Sequence, residues 1–109
     1  MPVRSFRLQL NPGQAAEYRR RHDALWPELA ALLQQAGIED YRIFLDEKDG
    51  ALYGVMRYRR DDLLEALPRS PVMQRWWAYM ADIMQTHPDH SPVSVELLPV
   101  FAFPPESAT

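Results

Sequence analysis

The run Tyr18 to Glu28, YRRRHDALWPE, sets a phenol, an imidazole and an indole at positions 18, 22 and 26. On an α-helix, residues four apart stand over one another on the same face. Tyr18, His22 and Trp26 would then form a column of a hydrogen-bonding ring, a proton-transfer ring and a flat apolar ring. Such a set suits a small polar ligand that has both hydroxyls and C–H faces. The same spacing also reads as core, because Leu25, Leu29, Leu32 and Leu33 supply an ordinary apolar stripe beside it. Pro27 has two readings. Inside one helix it lacks an N–H and crowds the carbonyl of Asp23, costing about 3 kcal/mol or more. Alternatively, it is the first residue of a second helix.

A second constellation is Gln74-Arg75-Trp76-Trp77-Ala78-Tyr79-Met80. Adjacent helical residues point in different directions, so one indole can face a ligand while the other packs against core. Indoles stacked on sugar C–H faces give apolar contact without hydrogen-bond demand. Two core tryptophans are the alternative. His87 and His90 lie in a proline-rich loop with no ordered carboxylate set, which reads as surface histidine and no metal site. There is no phosphate-binding glycine loop, no serine elbow and no dinucleotide fingerprint. Chemistry without a cofactor is what remains.

Elements must position these groups. Val3 to Leu10 alternates as a strand, with Phe6, Leu8 and Leu10 on one face and Ser5, Arg7 and Gln9 on the other; Asn11-Pro12-Gly13 breaks it. Residues 14 to 35 are helical in pattern, and Gly37 is placed to end them. Tyr41 to Asp46 and Leu52 to Tyr58 are strands joined by Glu47-Lys48-Asp49-Gly50, a hairpin signal. Asp61 to Leu67 is a short helix, and Val72 to Met84 a longer one that Ser70 caps and Pro71 starts. Val93 to Phe103 is the last strand. The expectation is one domain over 1–103 and a tail over 104–109.

The order β-α-β-β-α-β is the α+β, ferredoxin-like arrangement, a four-stranded antiparallel sheet with helices on one face. The later strands are apolar on both sides, so the open face needs a second cover. Another copy of the chain is the simplest one, which predicts a homodimer. Polar groups of the first strand, with Tyr41 or Tyr53, would line a pocket roofed by the Tyr18–His22 helix.

Bulk properties narrow the classes. The 109 residues carry a net charge of −3, which argues against a nucleic-acid partner. In the triplet Arg19-Arg20-Arg21, consecutive side chains splay about 100° apart; they read as mostly solvated, with one able to reach a carboxylate near the site. Cysteine is absent, so thiol chemistry and disulfides are excluded. No apolar run approaches the ~18 residues of a membrane span, and MPVRSFRLQL is not a signal peptide. The cytoplasm, with no membrane partner, is the expected location.

Four stretches carry a family resemblance: EYRRRHDALWPEL (17–29), DYRIFLD (40–46), QRWWAYM (74–80) and PDHSPVSVEL (88–97). Together with Gln9-Leu10-Asn11-Pro12, they resemble the L-rhamnose mutarotase family in one register over nearly the whole chain. The resemblance implies a dimeric α/β barrel of ferredoxin-like fold that interconverts the α and β anomers of L-rhamnose without a cofactor. Carried over by position, it makes His22 the proton donor and Tyr18, Tyr41, Trp76 and Trp77 the sugar contacts. A cofactor-independent monooxygenase of the same fold and a non-catalytic sugar-binding module are the alternatives.

Overall fold

The computed structural model describes residues 2–105; positions 106–109 of the expected tail lie outside the described residues. Four strands, β1 (Val3–Gln9), β2 (Ile38–Asp46), β3 (Ala51–Tyr58) and β4 (Val95–Leu97), form one sheet in the order β2-β3-β1-β4. Every pairing is antiparallel. The helices are α1 (Ala15–Asp23), α2 (Pro27–Gln35), α3 (Asp61–Glu65) and α4 (Pro71–Met80), with a 3₁₀ turn at Leu67–Arg69. This is the expected ferredoxin-like α+β topology.

Alternation decides which side chains meet the helices. Phe6 pairs with Gly54 and Gly54 with Ile43, while Leu8 pairs with Leu52 and Leu52 with Leu45. These residues, with Met56 and Tyr41, turn toward the helical layer. The principal core unites Leu8, Leu10 and Leu52 from the sheet side with Tyr18, Leu29, Trp76, Met80, Ile83 and Met84. A smaller cluster of Met56, Tyr58 and Leu64 adjoins it, and Phe6 touches both. The opposite face of the sheet presents Ser5, Arg7, Tyr53, Val55, Arg42 and Phe44 in register. Phe44 and Val95 are each more than half exposed there.

The helical run is two helices, not one. Pro27 is the first residue of α2, and Trp26, extended at ψ 131°, stands at its N-cap. The Leu29 and Ala30 amides bond to the Trp26 carbonyl, restarting the helical ladder. Gly37, at φ +84°, follows the last helical turn in the left-handed conformation that glycine takes without steric cost. Strand β2 starts three residues earlier than expected, with a register shift between Ile38 and Asp40. Ser70 occupies the N-cap of α4 without a side-chain cap; its backbone carbonyl accepts from Gln74 instead, and Pro71 opens the helix as expected. Helix α4 ends at Met80, earlier than expected, and Met84 instead bridges to Leu10.

The last strand is a correction of another kind. Only Val95–Leu97 pairs, against Ser5–Arg7. Beyond it, Leu98, Val100, Phe101 and Phe103 are 82, 95, 84 and 84% exposed. Their apolar character reads as strand, but among the described residues none after Leu97 pairs with β1, although β1 continues to Val3.

Candidate functional site

A cavity of about 1200 Å³ lies between the sheet and the helical layer. Its floor includes Phe6, Tyr41, Ile43 and Met56; helix α1 contributes Tyr18 and His22, and α4 contributes Met73, Trp76, Trp77 and Met80. All five residues singled out from the sequence, His22, Tyr18, Tyr41, Trp76 and Trp77, therefore border one space. Both tryptophans do so, although Trp76 is also buried in the core.

Tyr18 and His22 stand one turn apart on α1, and their rings stack at 4.3 Å between centroids. The third member of the column does not join them. Because the helix stops at Asp23, Trp26 leaves the α1 face and packs edge-on against Trp76 at 5.1 Å. Trp26 also lies 5.4 Å from Tyr79, outside the cavity wall. Tyr53, paired beside Phe44, projects from the opposite face of the sheet. The pocket therefore lies on the helical side of the sheet, and the first-strand groups Ser5, Arg7 and Gln9 do not line it. His87 and His90 are exposed.

The imidazole of His22 is held at one of its two nitrogens. Nδ1 lies 2.9 Å from the Tyr18 carbonyl oxygen. A carbonyl only accepts, so Nδ1 carries the hydrogen and the neutral ring leaves its lone pair on Nε2. The ring meets Trp76 edge-on at 5.4 Å. Burial lowers the pKa of His22 below its ordinary 6.5, against smaller opposing effects of the Tyr18 carbonyl and the Asp23 charge. The imidazole is thus neutral at rest near pH 7, with one free basic nitrogen. Burial pushes both Tyr18 and Tyr41 up, so both phenols stay protonated and can donate hydrogen bonds. Tyr41 is braced by Phe6, edge to face at 6.0 Å.

Several lining residues carry no motif and were not picked out as site residues. Phe6, Ile43 and Met56 share the inward face of the sheet, and Arg4 and Glu96 lie on the polar side of the cavity. Strand alternation with Leu8 was the signal for Phe6 and Arg4. Arg4 is paired to Asp61 at 3.4 Å, and Asp61 also accepts from the Tyr58 hydroxyl at 2.7 Å.

Fold and site together define a ferredoxin-like α+β protein with one imidazole in an aromatic-walled cavity on the helical side of its sheet. A solved antibiotic biosynthesis monooxygenase shares that fold with a TM-score of 0.51 at 14% identity, over 92% of this chain and 99% of the other. Closer matches are specific. The family model for L-rhamnose mutarotase matches residues 4–103. An L-rhamnose mutarotase of Jannaschia sp. (strain CCS1) is 59% identical over 92% of this chain and 96% of its own length. The crystal structure of an L-rhamnose mutarotase from Formosa agariphila superposes with a TM-score of 0.87 at 41% identity, covering 94% of this chain and 98% of that one. The chain belongs to the L-rhamnose mutarotase family.

Proposed function

We propose that this protein interconverts the α and β anomers of L-rhamnose, with His22 as its acid–base group. The observation that carries the chemistry is the fixed tautomer: Nδ1 is committed to the Tyr18 carbonyl, so Nε2 is the nitrogen that can exchange a proton with a ligand. Anomerisation needs one proton removed from the anomeric hydroxyl and one delivered to the ring oxygen. Both oxygens are bonded to C1, so one nitrogen can serve both. Nε2 takes the hydroxyl proton as the C1–O5 bond breaks and C1 becomes a carbonyl; the imidazolium then donates that proton to O5. Rotation about C1–C2 and the reverse steps close the ring on the other face. No electron or group leaves the sugar, so the sequence of steps calls for no cofactor.

Tyr18 and Tyr41 supply hydroxyl donors, and Trp76 and Trp77 supply flat walls for the C–H faces and the C6 methyl. Anomerisation also proceeds unaided in water, so the demand is modest. A positioned acid–base group typically contributes about 10²–10⁴-fold. His22→Asn keeps a side-chain N–H able to reach the Tyr18 carbonyl and removes Nε2. Anomer exchange on L-rhamnose, read by NMR with and without protein, is expected to fall by that factor while the variant stays folded. Full exchange in His22→Asn would overturn the assignment. A binding module without catalysis would leave the exchange rate at its protein-free value.

The working unit in this reading is a homodimer of a single domain spanning 1–103. It is supported by the open sheet face bearing Phe44 and Val95 and by the exposed apolar run from Leu98 to Phe103. Sedimentation at micromolar concentration tests it; a monomer would refute it. No helix among the described residues is long and apolar enough to cross a membrane. With no cysteine in the chain, the reducing cytoplasm is the compartment we assign.

A further inference from the structure

We infer that Arg21 is a positioning residue for this reaction: its guanidinium anchors α1 to the end of α4 and thereby holds the neighbouring His22 ring in its working orientation. The inference rests on the proposed role of His22 and adds the device that aims it.

Helix α1 has nine residues, too few to stand alone in water, and Tyr18 is its only buried apolar side chain. Something else must set its rotation. Arg21 is buried, its side chain only 9% exposed, and a buried guanidinium must satisfy its donors. Nε donates to Glu17 Oε2 at 2.7 Å on the same helix. Nη1 donates to the Tyr79 carbonyl at 2.7 Å and to Asp82 Oδ1 at 2.8 Å, and Nη2 donates to Asp82 Oδ2 at 3.2 Å. The guanidinium carbon lies 4.4 Å from the centre of the Tyr79 ring.

These contacts form a closed circuit. Tyr79 lies 5.6 Å from Trp76, and Trp76 meets His22 at 5.4 Å. Two consecutive residues of α1 thus grip the α4 end from two sides, Arg21 through Tyr79 and Asp82, His22 through Trp76. The two-pronged pairing with Asp82 fixes an angle as well as a distance, which a lysine ammonium cannot do. Loosening it lets α1 rotate, and Tyr18 and His22 turn together away from the indole. Tyr41, Trp76 and Trp77 sit on other elements and would keep their places, so binding should survive better than turnover.

The test compares the parent with Arg21→Lys, Arg21→Met and Asp82→Asn. Folding is followed by circular dichroism, the contact of the His22 ring with Trp76 by nuclear Overhauser effects, and kcat and KM by anomer exchange on L-rhamnose. The expected result is folded protein in which the His22–Trp76 contact is lost, while the Nδ1 bond to the Tyr18 carbonyl, internal to α1, persists. In that result kcat is at least tenfold lower, KM is within threefold of the parent, and Lys does not rescue. Variants that keep the parent's His22–Trp76 contact and kcat would overturn the inference, as would a loss that merely tracks the unfolded fraction. Should Arg21→Met fail to fold, Asp82→Asn, whose carboxylate is mostly exposed, carries the same comparison. A parent without exchange activity would sink the proposed function, and the His22–Trp76 contact would still decide the anchor.

Discussion

Gly54→Ala is a single added methyl that should reach the site through Phe6. Gly54 lies in the middle of β3, between Phe6 on β1 and Ile43 on β2. With no Cβ there, the Phe6 ring lies directly across the backbone. A Cβ at this position would overlap Phe6 Cζ and come within 2.6 Å of Cε2 and 3.0 Å of Cε1. Carbon atoms sit comfortably at about 3.5–4.0 Å, so the ring must move by roughly an ångström. It is the free end of a side chain, yet it touches both apolar clusters and braces Tyr41. Overpacking of this kind costs about 1–3 kcal/mol. Alanine regains about 0.5–1 kcal/mol over glycine inside a strand. The net expectation is a loss of about 1–2 kcal/mol in urea unfolding, with weaker L-rhamnose binding as Tyr41 loses its brace. Phe6→Leu in the same background should relieve the overlap and return part of the stability. A Gly54→Ala protein as stable as the parent, with unchanged affinity, would refute the reasoning.

Acid should act on this fold in two stages. His22 has a folded-state pKa below its ordinary 6.5 because burial penalises the imidazolium. Its contribution to stability is therefore complete above 6.5 and lost as pH falls through the lower folded value. Glu17 is held at about 2, against an ordinary 4.5, first by its hydrogen bonds from Arg20 and Arg21. Its contribution is complete above 4.5 and disappears as pH falls toward 2. Urea midpoints measured from pH 8 to pH 3 should drop first below 6.5 and again below 4.5; a profile flat from 7 to 5 would contradict the first stage. Leu52→Ala removes one of the most deeply buried side chains and should cost about 2–5 kcal/mol in the same assay. A loss below 1 kcal/mol would mean the core collapses around the gap.

The order of elements and the faces of β1 and β3 could be read from alternation and turn residues, because those signals are local. The Tyr18–His22 pair was legible for the same reason. Trp26 was not, since Pro27 permits a kink or a restart, and only the extended Trp26 backbone distinguishes them. The extent of β4 was overestimated because apolar alternation does not say where pairing stops; Pro99, just past the strand, has no N–H to give to a ladder. Ser70 shows the same limit at smaller scale: a good cap residue stands in place while its hydroxyl goes unused. One arginine of the 19–21 triplet was expected to find a carboxylate. All three do, Arg19 reaching Asp23 and Arg20 reaching Glu17, and that Arg21 finds a second one depends on where the chain after α4 brings Asp82.

The interruption between α1 and α2 also has an electrical side. It places His22 in the last turn of a helix, where the unpaired carbonyls leave a partial negative charge. A cation there gains about 0.3–1 kcal/mol from that macrodipole, partly offsetting what desolvation takes from the imidazolium. Had the helix run on without a break, the same ring would sit mid-helix, beyond reach of that terminus, and would hold a proton less readily. The proline that divides the helices is in this sense a setting of the ring's basicity, made five residues down the chain.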